Sequence, residues 1–314
     1  MSEIKISSFA KINLSIDVTG LTPERMHLVD MIMHQISFHD DVMVRYLPQE
    51  GWPEGRFEVQ VKTNRYYIPT DERNLAYKGA LLMAEHFGSK VPGGKIQVEI
   101  FKRIPVAAGL AGGSGNGAAV LHGLNVLWKL NLPLSQLCKV SENLGSDVPF
   151  CVMGQAKYNF NLPAKIRKDP LASCCGRATG TGTQVKPLPG IRKPLVIAKP
   201  PIGVSTKDVY AGIDKCEIVR RPDNDLLERE LTEKKENRLY QNCINVLENY
   251  TLQAYPQVQA LKKQMESLKQ AELVLMSGSG PTVFGIFSDM KAAKEGCQVL
   301  RKCGYEAYWA RTVK

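Results

Sequence analysis

One stretch constrains this chain more than any other: Pro105-Val106-Ala107-Ala108-Gly109-Leu110-Ala111-Gly112-Gly113-Ser114-Gly115-Asn116-Gly117-Ala118-Ala119. Its small residues run directly into Val120, Leu121, Leu124, Leu127 and Trp128, which are spaced for one face of a helix. Upstream, Ile96, Val98 and Ile100 alternate with polar residues as a half-buried strand does. The spacing therefore predicts a strand, a glycine loop and a helix in succession. Glycines let a backbone turn with positive φ and let an anion come close to main-chain N–H groups. At a helix N-terminus those N–H groups and the helix dipole favour negative charge, so the unit suits a nucleotide polyphosphate. It is neither of the common nucleotide loops: Gly94-Lys95 is followed by Ile96, and no Gly-x-Gly-x-x-Gly opens a helix. A glycine-rich helix start also serves tight helix packing, so the choice rests on the motif's neighbours.

The chain has 314 residues, enough for a large core and two lobes. Its 44% hydrophobic and 23% charged content is that of an ordinary globular protein. Met1-Ser2-Glu3-Ile4-Lys5-Ile6 has no signal-peptide hydrophobic region, and no apolar run is long enough to span a bilayer. The cysteines form no C-x-x-C and no zinc spacing with histidine, so reduced thiols and a cytoplasmic location are expected. The net charge of +10 raises the question of nucleic acid. Part of the excess is local: between 156 and 193 stand Lys157, Lys165, Arg167, Lys168, Arg177, Lys186, Arg192 and Lys193 against Asp169 alone. That segment lacks the interleaved aromatic residues of a single-strand binder. A solvated basic insertion is expected, with no nucleic acid and no membrane as partner. Oligomeric state is not written in the sequence.

Along the chain, Ile12, Leu14, Ile16 and Val18 alternate as a strand, and Phe57, Val59 and Val61 repeat the pattern. Helices are predicted over 74–87 and 134–144, then a strand over 148–153 and a long connection or insertion over 155–193. Strands are predicted at 195–199, 272–276, 282–287 and 305–311, and helices at 206–213, from 224, at 239–250 and at 258–268. A tight turn, Met276-Ser277-Gly278-Ser279-Gly280-Pro281, joins two of those strands. The pattern is α+β with two lobes: residues 1–155, the connection 156–193, and 194–314.

Three separated motifs now line up: Ala10-Lys11-Ile12-Asn13-Leu14, the glycine loop, and Ser277-Gly278-Ser279-Gly280-Pro281-Thr282-Val283-Phe284. Together the ordered set resembles the GHMP kinases, the small-molecule kinases named for galactose, homoserine, mevalonate and phosphomevalonate. Gly145-Ser146-Asp147-Val148-Pro149-Phe150, the run from Lys199 to Thr206, Asn245-Val246-Leu247-Glu248 and Tyr255-Pro256 point within them to one branch. That branch acts on 4-diphosphocytidyl-2-C-methyl-D-erythritol in non-mevalonate isoprenoid synthesis. The resemblance implies a β-rich N-terminal lobe with the phosphate loop, an α/β C-terminal lobe and an active site in the cleft between them. It implies ATP and Mg²⁺ as cofactors and a small-molecule alcohol as substrate.

Phosphorylating an alcohol requires that ATP be held, the transferring phosphoryl group neutralised and the hydroxyl relieved of its proton. By resemblance, Pro105 and the run Gly109, Leu110, Ala111, Gly112, Gly113, Ser114 and Gly115 cradle the phosphates. Lys102 adds charge, Ser114 reaches phosphate or Mg²⁺, and Asn74 and Leu75 lie by the adenine. Asp147 is the implied base, with Lys11 next to it. A cation beside a carboxylate makes it a weaker base, so Lys11 is better read as stabilising developing charge. Alone, Asp147 would read as a helix-end cap and Lys11 as a surface lysine on a strand. Asn13, Gly278 and Ser279 are placed at the substrate, His27 at the cytosine edge and Tyr210 against its face. Taken singly, His27 would read as a half-buried histidine and Tyr210 as core.

The chain departs from the pattern where function is expected. The family usually carries Gly-Leu-Gly-Gly-Gly-Ser-Ser-Asp-Ala-Ala; Ala111, Gly115, Asn116 and Gly117 replace four members here. Arg25-Met26-His27 stands for Gly-Tyr-His, and Thr183 for Glu. If Gly115 has cost a phosphate or metal contact, Gly115→Ser should improve ATP or Mg²⁺ use. The departures leave three readings: a divergent active member of that branch, a paralogue with another alcohol substrate, and a catalytically weak nucleotide-binding protein. The joint presence of Lys11, Asp147 and Ser114 argues against the last.

Overall fold

The computed structural model describes residues 2–314. The elements are strands β1 (Glu3–Leu21), β2 (His27–Pro48) and β3 (Phe57–Thr63), helix α1 (Leu75–Phe87) and strand β4 (Gly94–Phe101). Helices α2 (Gly112–Leu127), α3 (Leu134–Ser141), α4 (Val148–Tyr158) and α5 (Ala164–Arg167) follow, then strands β5 (Cys175–Thr179), β6 (Gln184–Leu188) and β7 (Pro194–Lys199). The last part holds α6 (Thr206–Ile213), α7 (Asn224–Glu233), α8 (Glu236–Leu239), α9 (Glu248–Ala254) and α10 (Pro256–Glu266). It closes with β8 (Ala271–Met276), β9 (Val283–Phe287), α11 (Met290–Lys302) and β10 (Glu306–Arg311). The chain forms two compact units. One comprises the residues up to Ala10 with His39–Ile104 and Ala111–Cys174; the other comprises Lys11–Phe38, Pro105–Leu110 and Cys175–Lys314. Both β1 and β2 therefore run from one unit into the other.

In the first unit, β4 pairs in parallel with β3 and antiparallel with the later half of β2, from Asp41 opposite Phe101 to Pro48 opposite Gly94. The inward residues Val42, Val44, Ile96, Val98 and Ile100 of that sheet share one core with Leu121 and Leu124 of α2 and Met83 of α1. Helix α1 starts where Asn74 accepts a hydrogen bond from the Ala76 N–H. Helices α1 and α2 meet through glycines: a Cβ on Gly79 would lie 3.2 Å from the Gly117 carbonyl oxygen, and one on Gly117 3.2 Å from that of Leu75. The close approach at Gly117 gives this departure from the family pattern a packing reason.

In the second unit, an antiparallel sheet in the order β10-β7-β9-β8 carries α11. Strand β9 is buried at every residue, and a Cβ on Gly296 of α11 would lie 3.0 Å from the Phe287 ring. The early half of β2 pairs with β5, and β5 with β6. Arg177 on β5 bonds Asp30, Asp225 and Glu228, and Lys186 on β6 bonds Glu228. These partners hold the Arg177 guanidinium well above its ordinary pKa. Arg177 and Lys186, two of the basic residues of that segment, thus have carboxylate partners within the fold.

Three expectations need correction. Residues 148–153 are helical: α4 is buried from Val148 to Ala156 with Pro149 in its first turn, and an apolar run buried all round shows no period. The connection over 155–193 contains the end of α4, then α5 and the β5–β6 hairpin, turned by Gly180 and Gly182 at φ 65° and 94°. The helix expected over 239–250 is broken between Asn242 and Glu248. Helix α11 was not anticipated, although Asp289 caps it and Ala292, Ala293, Gly296, Cys297 and Leu300 give it a clear buried face.

Each unit buries one histidine completely. His34 accepts the Ile191 N–H at 3.0 Å through Nε2, so its Nδ1–H donates to the Gln35 carbonyl at 2.8 Å; His122 donates from Nε2 to the Val152 carbonyl at 2.9 Å. Burial pushes both imidazoles down from 6.5 to about 4. As pH falls from 6.5 towards 4, the unfolded chain takes up these protons and the native protein does not, so stability is lost across that window and no further below it. Between pH 7 and 5 each histidine should remove about 2 kcal/mol. Denaturant unfolding of His122→Gln at both pH values should show a drop smaller by that amount, whatever the variant's stability at pH 7. An unchanged drop would show that His122 is protonated in the native state.

Candidate active site

The glycine loop crosses between the units at Leu110–Ala111. On the second-unit side, Gly109 has φ 70°, and a Cβ there would collide with the Ser277 carbonyl oxygen and lie 3.0 Å from that of Gly280. The Ser277 hydroxyl donates to the Gly109 carbonyl at 2.9 Å, and the Lys11 N–H to that of Leu110 at 3.1 Å. Ala107 and Ala111 are also left-handed, at φ 50° and 53°. Each costs an alanine about 1–2 kcal/mol, strain of the kind stored at functional sites. On the first-unit side, Ala111 leads into α2 with no side-chain cap. The first N–H bonded within the helix is that of Gly115, to the Ala111 carbonyl at 2.8 Å. The N–H groups of Gly112, Gly113 and Ser114 have no partner among the described residues, nor has the Ser114 hydroxyl. Open N–H groups in the first turn of a helix are of the kind that suits an anion.

Beneath it lies a buried polar network. Asp40, with no exposure, accepts the N–H groups of Arg103 at 2.7 Å and Ile104 at 2.8 Å through Oδ1. Its Oδ2 takes the Asn116 amide at 3.0 Å and a short ion pair from the Lys102 ammonium. Burial pulls the Lys102 pKa down, and Asp40 opposes that fall. The Lys102 Nζ lies 2.7 Å from where a Cβ on Gly112 would stand, directly under the first turn of α2. Asn116 also donates to the Ser8 hydroxyl at 3.3 Å. An aspartate at 116 would set a second carboxylate against Asp40, so the amide suits this network. Asp40 and Ser8 were not anticipated; a carboxylate in a strand otherwise buried on that face was the available signal.

The geometry overturns the expectation for Gly115→Ser. A Cβ at Gly115 would point into the interior, 2.5 Å from the Ser8 Oγ and 3.5 Å from the Gln155 Nε2, which donates to the Gly115 carbonyl. Gly115 has left no gap at the phosphate loop, because the Ser8 hydroxyl occupies the space.

In the second unit, Lys11 and Asn13 are buried at 3% and 0% exposure, which excludes the surface-lysine reading. Two residues apart, they share one face of β1. The Lys11 Nζ donates to the Asn13 Oδ1 at 2.6 Å, and that oxygen also accepts the Gly278 N–H at 3.0 Å. Gly278 has φ 59°, and a Cβ there would lie 3.4 Å from the Lys11 Nζ. Asn245, in the break before α9, donates to the carbonyls of Met276 and Gly278 at 2.9 and 2.8 Å. Ser279 meets the Thr206 hydroxyl at 2.9 Å. The His27 Nε2 lies 2.9 Å from the Asp214 Oδ1, with the His27 and Tyr210 ring centroids 4.9 Å apart. Met26 is 53% exposed.

The structure thus gathers Lys11, Asn13, Gly109, Leu110 and Gly278 into one cluster, and Lys102, Gly112, Gly115 and Ser114 around the start of α2. His27 and Tyr210 form a separate pair. Asn74 spends its carboxamide on the α1 cap and the Pro69 carbonyl, Leu75 lies 3.7 Å from a Cβ position on Gly113, and Pro105 is half-buried. Asp147 stands at the N-terminus of α4, yet its side chain makes no capping bond, so the cap reading does not account for it. Among the described residues no group of three or more histidine, cysteine, aspartate or glutamate side chains could hold a metal.

Comparison with known proteins agrees with this architecture. The family description "GHMP kinases N terminal domain" matches residues 74–155, and "GHMP kinases C terminal" matches 217–306. The chain is 36% identical to a 4-diphosphocytidyl-2-C-methyl-D-erythritol kinase of Clostridium botulinum (strain Eklund 17B / Type B), over 99% of this chain and 100% of that one. It is 40% identical to the enzyme of that name from Geobacillus kaustophilus, over 90% and 88%. A crystal structure of 4-(cytidine 5'-diphospho)-2C-methyl-D-erythritol kinase shares the fold at TM-score 0.75 and 24% identity, covering 99% and 100% of the two chains. A homoserine kinase from Cytophaga hutchinsonii follows it at TM-score 0.66 and 16% identity, covering 100% and 95%. The chain belongs to the GHMP kinases, in the family of the 4-diphosphocytidyl-2-C-methyl-D-erythritol kinases. It is a small-molecule kinase with the two-domain fold of that superfamily.

Gly115→Ser should lower the unfolding free energy by about 1–3 kcal/mol, the usual cost of overpacking, and raise KM for ATP. Removing the opposing hydroxyl in Ser8→Ala/Gly115→Ser should recover most of both. Denaturant midpoints and ATP kinetics check this; a Gly115→Ser protein as stable as wild type would contradict it.

Proposed function

We propose that this enzyme transfers the γ-phosphoryl group of ATP to a hydroxyl of 4-diphosphocytidyl-2-C-methyl-D-erythritol. The observation that carries the reading is full-length identity of 36–40% to enzymes of that name, joined to the buried Lys11–Asn13–Gly278 cluster. The acceptor oxygen forms the new P–O bond as the bond to the β,γ-bridging oxygen breaks, ADP leaves, and the hydroxyl proton passes to the Asp147 carboxylate. Lys11, held by Asn13, stabilises negative charge on the transferring group. The open N–H groups of Gly112, Gly113 and Ser114 take phosphate oxygens, with the Lys102 charge behind them and Pro105 to Gly115 shaping the cradle. Leu75 and the backbone at Asn74 border the adenine. Ser279 and Gly278 border the acceptor, and His27 and Tyr210 hold the cytosine, with Met26 over its other face.

Mg²⁺ enters with ATP as part of the substrate. The Ser114 hydroxyl would be a protein group holding it, and the ion would offset charge on the phosphates. The eight cysteines are free thiols, which suits a cytoplasmic enzyme that draws on ATP. No helix among the described residues is long and apolar enough to cross a membrane.

ADP release should be seen with diphosphocytidyl-methylerythritol and not with mevalonate, homoserine or galactose; the reverse preference would reject the substrate. Asp147→Asn keeps the volume and loses the base, and its kcat should fall about 10²–10⁴-fold. Lys11→Met should lower kcat more than ATP affinity. Wild-type turnover by Asp147→Asn, or an equal loss of ATP affinity in Lys11→Met, would remove those residues from their roles.

A further inference from the structure

We propose that Asp214 is a specificity-determining residue: it fixes the His27 tautomer so that the enzyme accepts cytosine and rejects uracil. The inference rests on the reading of His27 and Tyr210 as the cytosine site and adds a residue to it.

Asp214 follows α6 directly, as its C-terminal capping residue. A carboxylate there faces the negative end of the helix dipole, an unfavourable placement unless something else requires it. Among the described residues its side chain has one polar partner, the His27 Nε2 at 2.9 Å. The two side chains are 39% and 17% exposed, so the pair stands at a surface that a ligand can reach. Tyr210, one helical turn earlier on α6, lies against the same imidazole with centroids 4.9 Å apart and rings tilted by 49°. One short helix therefore supplies both the aromatic face and the anchor for the histidine.

An ionised carboxylate only accepts hydrogen bonds, so the imidazole facing it must carry its hydrogen on Nε2. In the neutral ring Nδ1 is then an acceptor, and it has no hydrogen-bond partner among the described residues. Cytosine presents an N4 amino donor where uracil presents the O4 acceptor. An Nδ1 acceptor pairs with the first and opposes the second. Without the carboxylate the ring can adopt the other tautomer, whose Nδ1–H suits O4. Pocket shape cannot make this distinction, because the two bases are nearly the same size.

The test is calorimetric binding of CDP and UDP at pH 8 to wild type, Asp214→Ala, Asp214→Asn and His27→Ala/Asp214→Ala, with His27→Ala as reference. Wild type should prefer CDP. Asp214→Ala should lose about tenfold or more of that preference, with KM for ATP and Tm unchanged. Asp214→Asn, whose amide oxygen still accepts from Nε2–H, should restore part of it. In the His27→Ala background, removing Asp214 should change nothing further. An unaltered CDP-to-UDP ratio in Asp214→Ala, or the same loss with His27 absent, would overturn the role of Asp214 and leave the cytosine site standing. Wild type binding neither nucleotide would overturn that site and the inference with it.

Discussion

The carboxamide oxygen of Asn13 accepts two hydrogen bonds at once, from the Lys11 ammonium at 2.6 Å and from the Gly278 backbone at 3.0 Å. A buried ammonium is costly unless its donors are met, and this one is 3% exposed. Asn13 meets part of that need with a neutral carboxamide oxygen. The same oxygen pins the turn before Pro281. Asn245 holds that turn from the other side, and its own backbone is tied to β1, with Ile16 N–H donating to the Ile244 carbonyl at 2.9 Å and Val246 N–H to that of Ile16 at 3.0 Å. One strand thus presents the cation and, through its partners, fixes the turn beside it.

The start of α2 shows a different solution to the same problem of charge. Lys102 lies under a helix N-terminus, where a cation is disfavoured, and Asp40 offsets it with four hydrogen-bond and ion-pair partners. What the first turn offers a ligand is therefore chiefly its open backbone N–H groups and the glycines that let an anion approach them. The departures from the family pattern fit that arrangement. Asn116 bridges Asp40 and Ser8, Ser8 fills the place beside Gly115, and Gly117 lets α1 approach. The departures at Gly115, Asn116 and Gly117 are thus each matched by packing or hydrogen bonds within the first unit.

Much of this could be read in the sequence because it is local. The strand–loop–helix unit was visible from alternation at Ile96, Val98 and Ile100 followed by helical spacing after Gly117. The helix that begins after Asn74 and the turn at Gly278 likewise rest on residues close together in the chain. What could not be read depends on partners distant in the chain. Helix α4 is buried all round, so it showed no period, and a β-like run of Val148, Phe150 and Val152 misled. Asp40 and Asn116 are 76 residues apart, and Asp214 and His27 are 187 apart. No spacing rule links such pairs. Gly115 was read as a missing hydroxyl because its neighbour Ser8 enters only through the fold.

We propose that Asn13 positions Lys11 for phosphoryl transfer through their hydrogen bond. Its most direct test is the single-turnover rate of Asn13→Ala at saturating ATP and diphosphocytidyl-methylerythritol, with ATP affinity measured alongside. The account predicts a rate about 10²-fold lower, as for a misplaced catalytic group, with ATP affinity within about twofold of wild type, an effect confined to the transfer step. A wild-type rate, or a loss wholly of ATP affinity, would contradict it.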